Sequence, residues 1–188
     1  MNNLILFNRL LLFATFLTFC VVVFGAYVRL TDAGLGCPDW PGCFGTLTVP
    51  ESEIAIKEAQ TAYPGSIVEV DKAWIEMIHR YLAGILGLLV LLITIIAYKI
   101  RDEIKVKFIL PLSILVLITF QAALGMWTVT ELLKPIIVTA HLIGGMTILG
   151  LLTYITHRHN GAISNSIVIN PGIKPYIRFS LDLFFLVE

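Results

Sequence analysis

Four uncharged stretches, Leu10–Val28, Tyr81–Tyr98, Phe108–Thr130 and Pro135–Thr156, divide this chain, and each is close to the roughly 20 apolar residues that a helix needs to cross a bilayer. A chain of 188 residues that is 57% hydrophobic and only 14% charged lies outside the usual range of a soluble domain. The expected fold is therefore an all-α membrane protein, a four-transmembrane-helix bundle, because helices satisfy their own backbone groups inside lipid. The lipid bilayer is its solvent, and a formal net charge of zero argues for no nucleic-acid partner.

The first stretch is read as an uncleaved anchor. Its apolar run exceeds that of a signal peptide and no A-x-A-like site follows it. Bulky Phe19 before Cys20 argues against a lipoprotein site and for a plain helix cysteine. Basic residues set the orientation. Arg9, the group Lys99, Arg101, Lys105 and Lys107, and the group Arg158, Lys174 and Arg178 all fall on one side, expected to be cytoplasmic. The N-terminus is then cytoplasmic, and the loops 29–76 and 131–134 lie outside. With no Arg-rich, Ser-rich transit segment at the start, a bacterial inner membrane is expected over a mitochondrial one.

The chain also carries an internal repeat. Span one ends in Phe24-Gly25-Ala26-Tyr27-Val28-Arg29-Leu30-Thr31 and span three in Leu124-Gly125-Met126-Trp127-Thr128-Val129-Thr130, sharing a glycine, an aromatic two residues on and a terminal threonine. In span two His79 is followed by Ala83, Gly84 and Gly87, and in span four His141 by Gly144, Gly145 and Gly150. This reads as a duplicated helical hairpin, each copy delivering one histidine.

Those histidines carry the chemistry, since ionisable groups inside a membrane are costly and mark function. Each stands seven residues beyond a lysine, Lys72 or Lys134, which places both rings about 10 Å inward at a common depth. Two imidazoles without a thiolate or carboxylate cluster suit the two axial positions of a heme iron better than zinc. A di-iron site would need a second Glu-x-x-His beside Glu76-x-x-His79, and the sequence has none. Glu76 and His79 share a helix face, so a carboxylate is expected at the porphyrin edge, although Glu76 could equally be an interfacial residue or a partner for Arg80. Arg29 and Arg80 at the outer boundary are candidates for the propionates, against the plain alternative of snorkelling. Glycines one turn beyond each histidine are expected to clear room for the porphyrin.

In the outer loop, Cys37-Pro-Asp-Trp-Pro-Gly-Cys43 holds a cysteine pair on the oxidising side, where a disulfide is expected. A structural staple and a redox or substrate-handling role both stay open. Glu51–Gln60 reads as a short amphipathic helix ended by Pro64-Gly65, or equally as a solvated spacer. Residues 1–156 thus form a four-helix heme-binding unit, and 157–188 a cytoplasmic connector with the start of a fifth span, because the apolar run Phe179–Val187 is too short to cross. That run favours the chain being the front part of a longer protein over a tail lying on the membrane surface.

Three segments together closely resemble the heme A synthase family of cytochrome oxidase assembly: Arg29-Leu-Thr-Asp-Ala-Gly-Leu-Gly-Cys37-Pro-Asp-Trp-Pro-Gly-Cys43, Glu76-Met-Ile-His79-Arg80, and Gln121-Ala-Ala-Leu-Gly125-Met-Trp127-Thr-Val-Thr followed by His141. The resemblance implies half of an eight-helix duplicated fold, with oxidation of the C8 methyl of heme o to a formyl group. It implies His79 and His141 as ligands to the substrate heme, Glu76 as the catalytic carboxylate and Cys37 with Cys43 as the outer-loop pair. The heme b cofactor would belong to a second half. Expected partners are then the heme substrate, a homodimer or a separate second half, and heme o synthase. The alternatives are a non-catalytic b-type heme carrier or assembly factor, and an inactive truncated fragment.

Overall fold

The computed structural model describes residues 2–104 and 106–164. Five helices follow one another: α1 (Asn2–Leu30), α2 (Glu53–Ala62), α3 (Val70–Lys99), α4 (Ile109–Thr130) and α5 (Pro135–Ser164). Four of them, all but α2, are long and apolar enough to cross a membrane. Helices α1, α3 and α5 contain their expected stretches and extend beyond them, and α4 matches its own but for Phe108, which caps it. Because α3 starts at Val70, Glu76 stands inside a helix and not in the expected loop 29–76. Helix α5 likewise runs past residue 156. The run Phe179–Val187 lies outside the described residues.

The four long helices close a ring in which α1 packs on α3 and α5, and α4 packs on α3 and α5. Helices α3 and α5 therefore face each other across the diagonal. The arrangement has the pseudo-two-fold symmetry that a duplicated hairpin predicts, α1 with α3 answering α4 with α5. Proline helps to set the boundaries: Pro135 opens α5, and Pro111 sits in the first turn of α4, where a backbone donor has no helical partner to lose. The Thr94 hydroxyl donates to the Pro111 carbonyl at 3.2 Å and ties α3 to α4.

Two apolar clusters occupy opposite ends. One, built on Phe7, Leu11, Leu86, Val90, Ile114 and Leu152, fills the bundle away from the long loop. The other, with Cys37, Cys43, Phe44, Val49, Ala73 and Met77, lies under the long loop of residues 31–69. Helix α2 forms within that loop, its Ser52 side chain accepting from the Ala55 N–H at 3.2 Å. Outward faces such as Phe13, Phe16, Phe19 and Val23 on α1 are exposed, as lipid-facing positions should be. The short connection between α4 and α5 turns through left-handed Leu132 and Leu133 (φ 49° and 55°), and the Leu133 side chain lies against Gly34 of the long loop.

Candidate functional site

The two histidines lie between the apolar clusters, and each rests on a glycine of its own hairpin. His79 of α3 lies so close over Gly25 of α1 that a Cβ there would stand 2.9 Å from its Cε1. His141 of α5 covers Gly125 of α4, where the corresponding distance is 3.5 Å. The glycines that the sequence pairs in the ends of spans one and three thus do the same task in both hairpins, clearing a seat for an imidazole. Phe24 stacks on His79 with ring centroids 6.4 Å apart and planes 16° from parallel.

Nδ1 of each histidine is sealed away with no hydrogen-bond partner among the described residues. A buried polar atom without a partner costs free energy. Among the described residues no three His, Cys, Asp or Glu side chains converge as a metal site. The donor set is therefore a pair of imidazoles, which fits a planar macrocycle that brings four nitrogens of its own to the metal.

Glu76 is 4% exposed and turned to the long loop. Its Oε2 accepts from the Cys37 N–H at 2.9 Å, and its Oε1 accepts from Arg80 Nη2 at 2.5 Å. Arg80 continues into the loop, its Nη1 donating to the carbonyls of Asp39 (2.9 Å), Pro41 (3.4 Å) and Gly42. The pair is nearly enclosed, the side chains 11% and 6% exposed. Of the readings open for Glu76, the structure shows the pairing with Arg80. Arg29 is exposed and pairs loosely with Asp32 at 3.4 Å.

The loop itself is folded around Asp39 and the cysteine bridge. Asp39 accepts from the Phe44 and Gly45 N–H groups at 2.6 and 2.8 Å, and Cys43 exchanges two backbone bonds with Thr46. The Tyr63 hydroxyl donates to Asp39 Oδ2 at 3.4 Å; partial burial, with the Asp39 carboxylate beside it, raises the phenol above its ordinary pKa. Cys37 and Cys43 form the expected disulfide. Gly36 lies directly on the backbone of Lys72 and Ala73, which seats the loop on the first turn of α3. Trp74 and Tyr81 add bonds to Glu51 and to the Leu47 carbonyl.

The glycines beyond the histidines behave differently from expectation. Gly84 and Gly87 do face open space, but Gly144 is covered by the side-chain amide of Gln121, and Gly145 by Val22. Gln121, which sequence reasoning placed in a motif without assigning it a task, is 7% exposed, and its Nε2 has no hydrogen-bond partner among the described residues. A lone amide in an otherwise apolar span was the available signal.

The family model described as cytochrome oxidase assembly protein matches residues 8–187. Heme A synthase of Shewanella oneidensis is 54% identical over 72% of this chain and 40% of its own length. Heme A synthases of Oceanobacillus iheyensis and Exiguobacterium sibiricum are 31% and 27% identical over 76% and 96% of the chain, which spans 41% and 57% of their lengths. The chain thus spans about half the length of these curated relatives. No solved structure matches it.

Proposed function

The chain belongs to the heme A synthase family of cytochrome oxidase assembly proteins, and from that membership we propose that it holds heme o by its iron between His79 and His141 and serves oxidation of the C8 methyl to a formyl group. The observation that carries the reading is the pair of imidazoles, one from each hairpin and each seated on a glycine. The long-loop end then faces the outside of a bacterial inner membrane, with Arg9, Lys99, Arg101 and Arg158 at the cytoplasmic end. The propionates turn to the loop end, where exposed Arg29 would exchange its loose pairing with Asp32 to meet them; Arg80 would contribute by giving up part of its bonding to the loop.

In this reading Glu76 assists the loss of electrons and protons at the methyl carbon. A carboxylate keeps lone pairs beyond those used by Cys37 and Arg80, and a fixed negative charge beside a site of developing positive charge lowers the barrier. The heme b site and the electron path belong to a second half or a second copy of this chain, and heme o synthase is the source of the substrate. Expression of the chain in cells that make heme o, followed by analysis of the extracted hemes, tests the proposal. Hydroxylated or formyl heme is expected, and its absence overturns activity of this unit on its own.

One observation favours a second reading, a heme carrier without turnover. Both oxygens of Glu76 are engaged by the loop and by Arg80, as suits a structural clasp. Glu76→Ala separates the two. An enzyme keeps its heme and loses product, whereas a carrier keeps both its heme and its role.

A further inference from the structure

The duplicated hairpins make a site that is nearly its own image. A flat ring held between His79 and His141, on helices that face each other across the bundle, lies along the pseudo-two-fold axis relating α1 and α3 to α4 and α5. With the charged propionates turned to the loop end, that axis also turns a porphyrin over onto itself. In heme o this turn exchanges the C8 methyl with the C5 methyl. It also carries the hydroxyl of the hydroxyethylfarnesyl chain from one side of the axis to the other. A symmetric pocket cannot tell these orientations apart, so oxidation of one methyl needs a feature that breaks the symmetry.

On the side away from the loop, Gln121 does so with a buried polar group. Counting from the glycine under each histidine, Gln121 precedes Gly125 by the same interval as Val21 precedes Gly25, and Gly144 follows His141 as Leu82 follows His79. The first hairpin fills this layer with Val21 and Leu82, both packed on the apolar cluster. The second fills it with the Gln121 amide laid over Gly144, where a Cβ would collide with that amide. The amide is more than nine-tenths buried and its Nε2 donor is unpartnered among the described residues. A donor left unpaired at membrane depth is costly, and a bound acceptor removes that cost. Four residues along α4 set Gln121 about 6 Å inward of the His141 seat, at the level of the inner rim of a ring centred between the histidines.

We propose that Gln121 is the orienting residue of this site, its Nε2–H donating to the hydroxyl oxygen of the heme o side chain and so fixing which face of the porphyrin meets which histidine. The inference rests on the heme o reading above. No bond is made or broken at Gln121; it is a positioning and specificity residue.

Gln121→Leu tests this, since leucine keeps the volume, removes the amide and leaves no other group unpaired. The purified wild-type chain and the variant are titrated with heme o and with protoheme, which lacks the hydroxyl, and heme orientation is read from the shifted heme-methyl resonances in proton NMR. The expected result is that the variant loses about tenfold in affinity for heme o, the size of one lost hydrogen bond with a buried group left unpaired. Its affinity for protoheme stays unchanged, and the single set of heme-methyl resonances seen with wild type and heme o becomes two. Equal loss for both hemes, or no change with either, overturns the orienting role while leaving the histidine site standing. Failure of the wild-type chain to bind either heme overturns both. Unchanged protoheme binding also shows that the variant is folded.

Discussion

At the scale of single residues, the site is a matter of clearance. The histidines occupy space that two glycines leave, and the two seats are unequal: an added methyl meets the His79 ring at 2.9 Å but the His141 ring at 3.5 Å. Gly25→Ala is therefore expected to displace His79 and weaken heme binding about tenfold, the lower part of the 1–3 kcal/mol that overpacking costs. Gly125→Ala makes ordinary contact and should bind heme within about twofold of wild type. Heme titrations of both variants check this; equal effects would show that the seats do not set the ring positions. The two histidines were legible in the sequence because intramembrane ionisable groups are rare and because the repeat pairs them. Arg80 was legible as a partner of Glu76 from its place one helical turn away, but Cys37 was not. Which donor a carboxylate meets depends on a loop brought back from 39 residues away, and no spacing rule encodes that.

At the scale of elements, the long loop is clasped to α3 by hydrogen bonds to the Glu76–Arg80 ion pair of that helix, and a covalent bridge closes the loop on itself. Arg80 ties Glu76 to three loop carbonyls. Arg80→Ala leaves a buried carboxylate without its counter-charge, a loss on the order of 3 kcal/mol, and the loop should become the first site of cleavage in limited proteolysis. Arg80→Lys keeps a charge but cannot reach both the carboxylate and the carbonyls in one plane, so intermediate sensitivity is expected. If Arg80→Ala resists protease as wild type does, the clasp is not what holds the loop. The disulfide closes a sequence separation of 6, so replacing both cysteines by serine should cost about 2 kcal/mol by loop entropy, read as a lower thermal midpoint in detergent. The existence and order of the helices were plain from hydropathy. Their ends were less so: charged residues begin α3 well before its apolar stretch, because the loop covers Glu76 and Arg80 and removes the cost that sequence alone assigns to them.

At the scale of the whole molecule, duplication explains both the ring of four helices and the single site at its centre. Membrane helices gain little from burying apolar surface against one another, so the hairpins associate through close packing and buried polar contacts, such as the 3.1 Å hydrogen bond between Thr15 of α1 and Thr156 of α5. The diagonal relation of α3 and α5 was not legible in the sequence; it follows from α1 and α4 each packing on both of them. The central claim is that both imidazoles bind one iron, and the spectrum of the heme-loaded chain tests it most directly. The account predicts one heme per chain in a six-coordinate low-spin state with bis-imidazole character, converted to a five-coordinate high-spin form by either His79→Ala or His141→Ala. A six-coordinate low-spin spectrum that survives either substitution would contradict it.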